Sequence, residues 1–246
     1  METVTASRWV TLSGATNVRD LGGYQADTGI TRWGTLFRAD GMHRLNEDDQ
    51  RALINRGVRT MIDLRHASEI AAQPNVFARS SDVRYLNIPI LRAVHATPDA
   101  SQIPDMATIY RYFIDECQAG LSETLSAIAD ADQGAVVFHC TAGKDRTGVV
   151  AALLLGLAGV GHDDIADDYA LTAEAMQHLL PQMMEQAKQN GSTEVLKRLL
   201  SSNREDMLDL LAYTEQRYES IPAYIRQLGL SDAQRARLRG RLLDQP

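Results

Sequence analysis

The stretch Ala135-Val136-Val137-Phe138-His139-Cys140-Thr141-Ala142-Gly143-Lys144-Asp145-Arg146-Thr147-Gly148 decides how this chain folds. Ala135 to Phe138 is wholly apolar and reads as a short strand buried on both faces, as in a parallel sheet. From Thr147 to Gly159 the chain is apolar on nearly all sides, which predicts a buried helix. A strand, a tight turn and a helix N-terminus form a ready anion site. Backbone N–H groups without helical partners and the positive end of the helix dipole face the turn. Gly143 lets the backbone curl without a Cβ in the way.

The side chains add chemistry to that geometry. Arg146 sits six residues after Cys140, where its planar fork can hold two oxygens of a phosphate. The same positive surroundings favour a thiolate at Cys140, the nucleophilic form of cysteine. His139 and the Thr147 hydroxyl are expected to orient or hydrogen-bond the sulfur. Thr141, Ala142, Gly143, Lys144, Asp145 and Arg146 form the expected phosphate cradle, with phosphate or sulfate as its simplest ligand. A lone cysteine after an apolar strand is ordinarily a small core hydrophobe. The ordered set of His139, Gly143, Arg146, Thr147 and Gly148 around Cys140 argues against that here. A nucleotide P-loop is excluded, because Phe138 stands where its first glycine belongs and Asp145 follows Lys144. A sulfurtransferase also closes a cysteine loop with a basic residue, and it stays open as an alternative.

Working outward, Thr35 to Arg38 reads as a strand. Asn46 reads as the N-cap of a helix over Glu47 to Asn55 that Gly57 ends. Val58 to Leu64 and Val83 to Ile90 read as strands. Ala93 to Asp105, with Pro98 and Pro104, reads as a loop or lid. Met106 to Asp130 reads as one long amphipathic helix. After Asp164 the pattern is helical throughout, in segments near Ile165–Lys188, Thr193–Leu200, Asn203–Leu228 and Asp232–Leu242. Strands alternating with helices predict an α/β fold with a mostly parallel central sheet flanked by helices, and an all-helical C-terminal portion. Residues 1–246 are expected to form a single domain. About 1–163 would be its catalytic α/β part and about 164–246 a helical extension packed on it.

Composition bounds the function. The chain has 246 residues, 44% hydrophobic and 23% charged, and a net charge of −7. An acidic protein is a poor partner for nucleic acid or an anionic membrane, so an anionic substrate needs a local site. Two cysteines, Cys117 and Cys140, are too few for a disulfide framework or a zinc cluster. The N-terminus lacks the basic and apolar regions of a signal peptide. The longest apolar run, Val149 to Val160, is too short to span a bilayer. A cytoplasmic location is expected, with secretion without a cleaved signal left open. His43, His66, His95, His162 and His178 lack metal-ligand spacing, and no metal or cofactor is expected.

The loop resembles the Cys-x5-Arg signature of the tyrosine-phosphatase superfamily. Its Gly-Lys-Asp-Arg ending resembles the atypical bacterial and fungal phosphatases acting on phosphotyrosine, other phosphoproteins and phosphoinositides. Asn17-Val18-Arg19-Asp20-Leu21-Gly22-Gly23-Tyr24, Leu36-Phe37-Arg38 and Ile62-Asp63-Leu64-Arg65 with Glu69 match that group in order. Tyr218 to Leu243 resembles its helical ending. The resemblance covers most of the chain and is weakest between Ala93 and Met106 and around Pro181 to Ser202. It implies a protein-tyrosine-phosphatase-like fold and a metal-independent phosphomonoester hydrolase. Cys140 would form a phosphocysteine intermediate, while Arg146 and the loop amides hold the equatorial oxygens. Phosphorylated proteins are the implied substrates, with phosphoinositides held open. A small-metabolite phosphatase, for a sugar or nucleoside phosphate, is the alternative on the same scaffold. A phosphate-binding module without turnover is the alternative from another class.

The proton donor is the open assignment, since the chain has no Trp-Pro-Asp tripeptide. Asp63 lies at the carboxyl end of an expected parallel strand, where α/β sites gather, and matches the aspartate proposed for this role in the resembling group. Asp145 lies inside the cradle, and Asp105 lies in the loop or lid. Asp63 ranks first, Asp145 second and Asp105 third. Each has a structural alternative: Asp63 could pair with Arg65 or Arg38, Asp145 could orient the loop, and Asp105 could cap a helix. Lys144 is expected to add charge for a phosphorylated head group. Asp167-Asp168-Tyr169 matches an acidic-aromatic segment of the resembling group; in isolation the aspartates read as helix surface and the tyrosine as core. Cys117 and Met176 read as packing.

Overall fold

Local rules place most elements of the protein, whose computed structural model describes residues 7–92, 105–177, 185 and 201–244. The strands are β1 (Arg19–Asp20), β2 (Gln25–Ala26), β3 (Gly29–Ile30), β4 (Leu36–Ala39), β5 (Val58–Asp63), β6 (Arg84–Asn87) and β7 (Ala135–His139). The α-helices among the described residues are α1 (Glu47–Asn55), α2 (Ala67–Ala72), α3 (Met106–Glu116), α4 (Gln118–Ala129), α5 (Asp145–Ala158), α6 (His162–Met176), α7 (Arg204–Tyr218), α8 (Ile221–Gln227) and α9 (Asp232–Leu242). Asn46 caps α1 as expected, its side chain accepting from the Asp49 N–H at 2.9 Å while Asp49 reaches back to the Asn46 N–H. Gly57, at φ +83°, then reverses the chain into β5.

The main sheet has the order β1-β4-β7-β5-β6, with β4, β7, β5 and β6 parallel and β1 antiparallel at the edge. The register aligns Ala39, His139, Asp63 and Asn87 in one row across the carboxyl ends of the parallel strands. Alternation along the strands sends Leu36, Ile62, Val136 and Phe138 into a core shared with α3 to α9. It sends Phe37, Met61, Ala135 and Val137 into a second core toward α1. Both faces are covered, which is why β7 is apolar from Ala135 to Phe138.

Two expected helices are each two in the structure. The helix expected over Met106 to Asp130 breaks at Cys117, which leaves helical geometry at φ −103° and ψ 21°. The break seats Gly120 on the chain after β6, where a Cβ would lie 2.8 Å from the Pro89 carbonyl oxygen. The helix expected over Asn203 to Leu228 breaks at Glu219, at φ +71°. Ser220 then caps α8 by accepting from the Ala223 N–H at 3.2 Å. Pro222 has no N–H with which to continue α7, so a restart is the natural outcome. The parts of the expected loop and helices over residues 93–104, 178–184 and 186–200 lie outside the described residues.

The C-terminal helices pack on the α/β part. Helix α8 lies on α5, α9 on α4 and α5, and α7 on α3 and α6. Leu154, Ile221, Tyr224 and Leu238 belong to the same buried cluster. Gly156 makes room for this: a Cβ there would lie 2.3 Å from Ile221 Cδ1. Truncating a fully buried residue of this seam leaves a cavity, so Ile225→Ala should destabilise the protein by about 2–5 kcal/mol. Denaturant unfolding should show one transition that shifts as a whole. Two transitions, with only the second unchanged, would mean that the helical part folds separately.

Candidate active site

Beyond the aligned row of Ala39, His139, Asp63 and Asn87 the strands run into the loop around Cys140. Cys140 follows β7 directly and is buried, 2% exposed. Every carbonyl from Cys140 to Lys144 is held by the protein. His139 Nδ1 donates to Cys140 at 3.0 Å, the Gly41 N–H to Thr141 at 3.0 Å and Asn17 Nδ2 to Ala142 at 2.9 Å. Arg38 Nη2 donates to Gly143 at 2.8 Å and the Gly148 N–H to Lys144 at 2.7 Å. A peptide plane points its N–H away from its C=O, so each anchored carbonyl turns the next N–H toward the loop interior. Among the described residues, the N–H groups of Thr141, Ala142, Gly143, Asp145 and Arg146 have no acceptor. Such a ring of amides at a helix N-terminus is an anion cradle. Gly143 makes the curl possible: it sits at φ +66°, and a Cβ would lie 2.7 Å from the Ala39 carbonyl.

The donors that hold these carbonyls are themselves fixed from behind. Arg38 and Arg19 both pair with Asp168 on α6, Arg19 Nε at 3.3 Å, and all three side chains are buried. Arg19 also donates to Asn17 Oδ1, and Tyr24 donates to Asp168 Oδ1 at 2.8 Å. Asp168, read from sequence as helix surface, is thus a buried hub. Its neighbour Asp167 is exposed and pairs with Arg204. The signal was present in the spacing, since Ile165, Asp168, Tyr169, Thr172 and Met176 share one buried face at helical periodicity.

Arg146 is gripped end-on by Glu69 from α2, Nη1 to Oε2 at 2.6 Å and Nη2 to Oε1 at 2.9 Å. The Thr141 hydroxyl donates to the same Glu69 Oε1 at 2.6 Å. Burial would raise the Glu69 pKa, but Arg146 and Thr141 outweigh it and bring it down to about 2. Burial likewise works against the Arg146 charge, and Cys140 and Glu69 more than offset it. Thr147 is fully buried, and its Oγ1 has no hydrogen-bond partner among the described residues.

The three acid candidates differ sharply in surroundings. Asp63 is fully buried and both oxygens are occupied. Oδ1 accepts from Arg65 Nε at 2.9 Å, and Oδ2 accepts from Arg65 Nη2 at 2.7 Å and the Tyr85 hydroxyl at 3.0 Å. Burial would raise its pKa, yet His139 and Arg65 hold it well below the carboxylate range. Its partner is Arg65, one of the two arginines considered from sequence. Asp145 is partly exposed. Tyr110 donates to its Oδ1 at 2.8 Å and Lys144 Nζ lies 3.2 Å from that same oxygen, while Oδ2 has no partner among the described residues. Asp105 caps α3, accepting from the Thr108 N–H at 2.7 Å. Lys144 is buried, and its Nζ donates to the Ser201 carbonyl at 2.9 Å. Cys117 lies in the core, where burial and then Glu116 push its thiol up to about 11.

A cysteine beside an amide cradle closed by an arginine is the constellation of a cysteine-dependent phosphatase. The chain belongs to the tyrosine phosphatase family, whose model matches residues 10–244. It is 31% identical over 278 aligned positions to the triple specificity protein phosphatase PtpB of Mycobacterium tuberculosis, covering 94% of this chain and 98% of that one. It is 31% identical over 216 positions to a tyrosine-protein phosphatase of Nostoc commune, covering 84% and 74%. The crystal structure of Pseudomonas aeruginosa TpbA is a distant likeness, 18% identical over 80% of this chain and 88% of that one, with a TM-score of 0.36.

Two outcomes follow. Arg38→Lys removes the fork that joins Asp168 to the Gly143 carbonyl. Activity should fall roughly tenfold to a hundredfold, approaching the scale of a lost pre-organised donor, with weaker inhibition by inorganic phosphate. Unchanged kinetics would mean that the loop holds itself. The second concerns acid. The Glu69 pKa is lowered from 4.5 to about 2, so its contribution to stability is present above pH 4.5 and is lost as pH falls toward 2. Glu69→Gln should lose less stability than the parent across that window in urea unfolding at stepped pH. Parallel curves would show that the pair adds nothing to stability.

Proposed function

We propose that the protein hydrolyses phosphomonoesters by nucleophilic catalysis at Cys140, with Asp145 as proton donor. The thiolate of Cys140 attacks phosphorus and forms the S–P bond. The bond from phosphorus to the leaving oxygen breaks, and Asp145 gives that oxygen its proton. Water then attacks the phosphocysteine, Asp145 takes up a proton, and the S–P bond breaks to release phosphate. Arg146 and the inward amides of the loop bear the charge on the equatorial oxygens. Cysteine, arginine and amides supply the charge stabilisation, so no metal enters the scheme.

The observation that carries the nucleophile and cradle is the complete outward anchoring of the carbonyls from Cys140 to Lys144. The contrast between Asp63 and Asp145 carries the donor. Asp63 ranks first from sequence by its place at a strand end and its match to the resembling group, but a buried carboxylate with both oxygens occupied has no free edge to offer and is held anionic. Asp63 is better read as the brace for Arg65 and His139. Asp145 has an anchored Oδ1 and an open Oδ2, the asymmetry a donor needs. Asp105 serves its helix.

Phosphotyrosine in proteins is the substrate class that family membership and the Nostoc commune relative support, while the triple specificity of the mycobacterial relative supports a range beyond it. Lys144 is drawn toward Ser201 and Asp145, which favours one phosphoryl group over a multiply phosphorylated head group. The two free cysteines support a cytoplasmic location.

Aryl phosphates with graded leaving groups test the scheme in chelator. Cys140→Ser should abolish turnover. Asp145→Asn should lose roughly 10²-fold or more on phenyl phosphate, and far less on para-nitrophenyl phosphate, whose leaving group needs little protonation. Sustained turnover by Cys140→Ser would sink the nucleophile. An equal effect of Asp145→Asn on kcat/KM for both esters, which reports the step that breaks the ester bond, would sink the donor. A panel of phosphotyrosine and phosphoserine peptides, phosphoinositides and nucleotides then ranks substrates, with phosphotyrosine peptides expected first.

A further inference from the structure

A proton donor must be held still as well as be present. Asp145 opens α5 at the rim of the cradle, and its carboxylate would turn freely unless something fixed one oxygen. Tyr110 of α3 does so with Lys144: the Tyr110 hydroxyl donates to Oδ1 at 2.8 Å, and Lys144 Nζ lies 3.2 Å from the same oxygen. The Tyr110 hydroxyl is in turn hydrogen-bonded to that of Tyr169 on α6. Both rings are buried and meet edge to face, centroids 5.9 Å apart and planes at 84°. Gly148 on α5 makes room for the second ring: a Cβ there would lie 3.1 Å from Tyr169 Cδ2. Burial, and then the Asp145 charge, push both phenol pKa values upward. Both hydroxyls therefore keep their protons, and Tyr110 remains a donor to Oδ1.

We propose that Tyr110, backed by Tyr169, is a positioning residue that fixes Asp145 through Oδ1 and leaves Oδ2 to carry the transferable proton. The role rests on the reading of Asp145 as proton donor. Tyr169 follows Asp168 in sequence, so consecutive residues of α6 serve the loop by two routes. Asp168 fixes the Gly143 carbonyl through Arg38, and Tyr169 fixes the Asp145 carboxyl through Tyr110.

The test compares Tyr110→Phe and Tyr169→Phe, alone and with Asp145→Asn, on phenyl phosphate and para-nitrophenyl phosphate. Tyr110→Phe should lower kcat on phenyl phosphate about tenfold, a fraction of the whole effect of a general acid. KM and inhibition by inorganic phosphate should stay unchanged, and kcat on para-nitrophenyl phosphate should stay within about twofold of the parent. Tyr169→Phe should show the same pattern with a smaller loss, and it reads the same role should Tyr110→Phe not fold. In the Asp145→Asn background neither change should cost more than about twofold further, the non-additivity of residues that act as one unit. Equal losses on both esters, or full additivity with Asp145→Asn, would overturn the positioning role. If Asp145→Asn itself shows no dependence on leaving group, the donor reading fails and the positioning role with it. If Asp145→Asn shows that dependence and Tyr110→Phe does not, only the positioning role fails.

Discussion

The site depends on one constraint: the carbonyls of the Cys140 loop must point outward. Five successive C=O groups, from Cys140 to Lys144, are taken by donors from four places in the chain. Nothing local forces this, because a five-residue turn can expose either edge of its peptides. With the carbonyls bound, the amides face inward as a matter of peptide planarity, and they wait in place for an anion. The reorganisation that would otherwise accompany charge development has been completed during folding.

That arrangement explains a costly feature behind the loop. Arg19, Arg38 and Asp168 are buried together, and taking such charges out of water is unfavourable unless they are well paired. Burial comes first among the forces acting on Arg19 and, with the neighbouring Arg38, brings its pKa down to about 10, so it stays charged. The two arginines overcome burial to hold Asp168 well below the carboxylate range. Two cations against one anion leave a surplus positive charge directly behind the cradle. As a stabilising device this cluster would be poor value against apolar packing. As a rigid mount for two loop carbonyls, with a field of the right sign, it makes physical sense.

Much of this was legible in the sequence, for definite reasons. The apolar run before Cys140, the cap at Asn46 and the stop at Gly57 are local signals, and the structure places β7 and α1 accordingly. The α/β class followed from the alternation of strands and helices. What escaped reading was set by tertiary contact. Cys117 interrupts an amphipathic pattern that continues smoothly through it, because the backbone after β6 needs Gly120 close by. Ser220 and Pro222 did carry a restart signal that the apolar periodicity masked. Asn17, Arg19 and Arg38 were recognised as matching a family in order. Their work as braces could not be derived from spacing, since their partners lie more than a hundred residues away.

The two carboxylates show how surroundings weigh against position when a proton donor is proposed. Asp63 occupies the favoured place at the carboxyl end of a central strand, and from sequence it outranked Asp145. Strand ends gather functional groups, but a proton donor needs an oxygen that meets substrate and a carboxyl that can hold a proton there. The neighbours of Asp63 satisfy it completely: Arg65 alone supplies two side-chain hydrogen bonds, and Tyr85 adds a third. Complete satisfaction is the mark of a structural group, because every bond that steadies the anion also opposes its protonation. Among the described residues Asp145 is satisfied on one side only, at the rim of the cradle and next to Arg146 in the chain. Incomplete satisfaction, confined to one oxygen while the other is firmly held, is the physical difference on which the proposed choice of Asp145 over Asp63 rests.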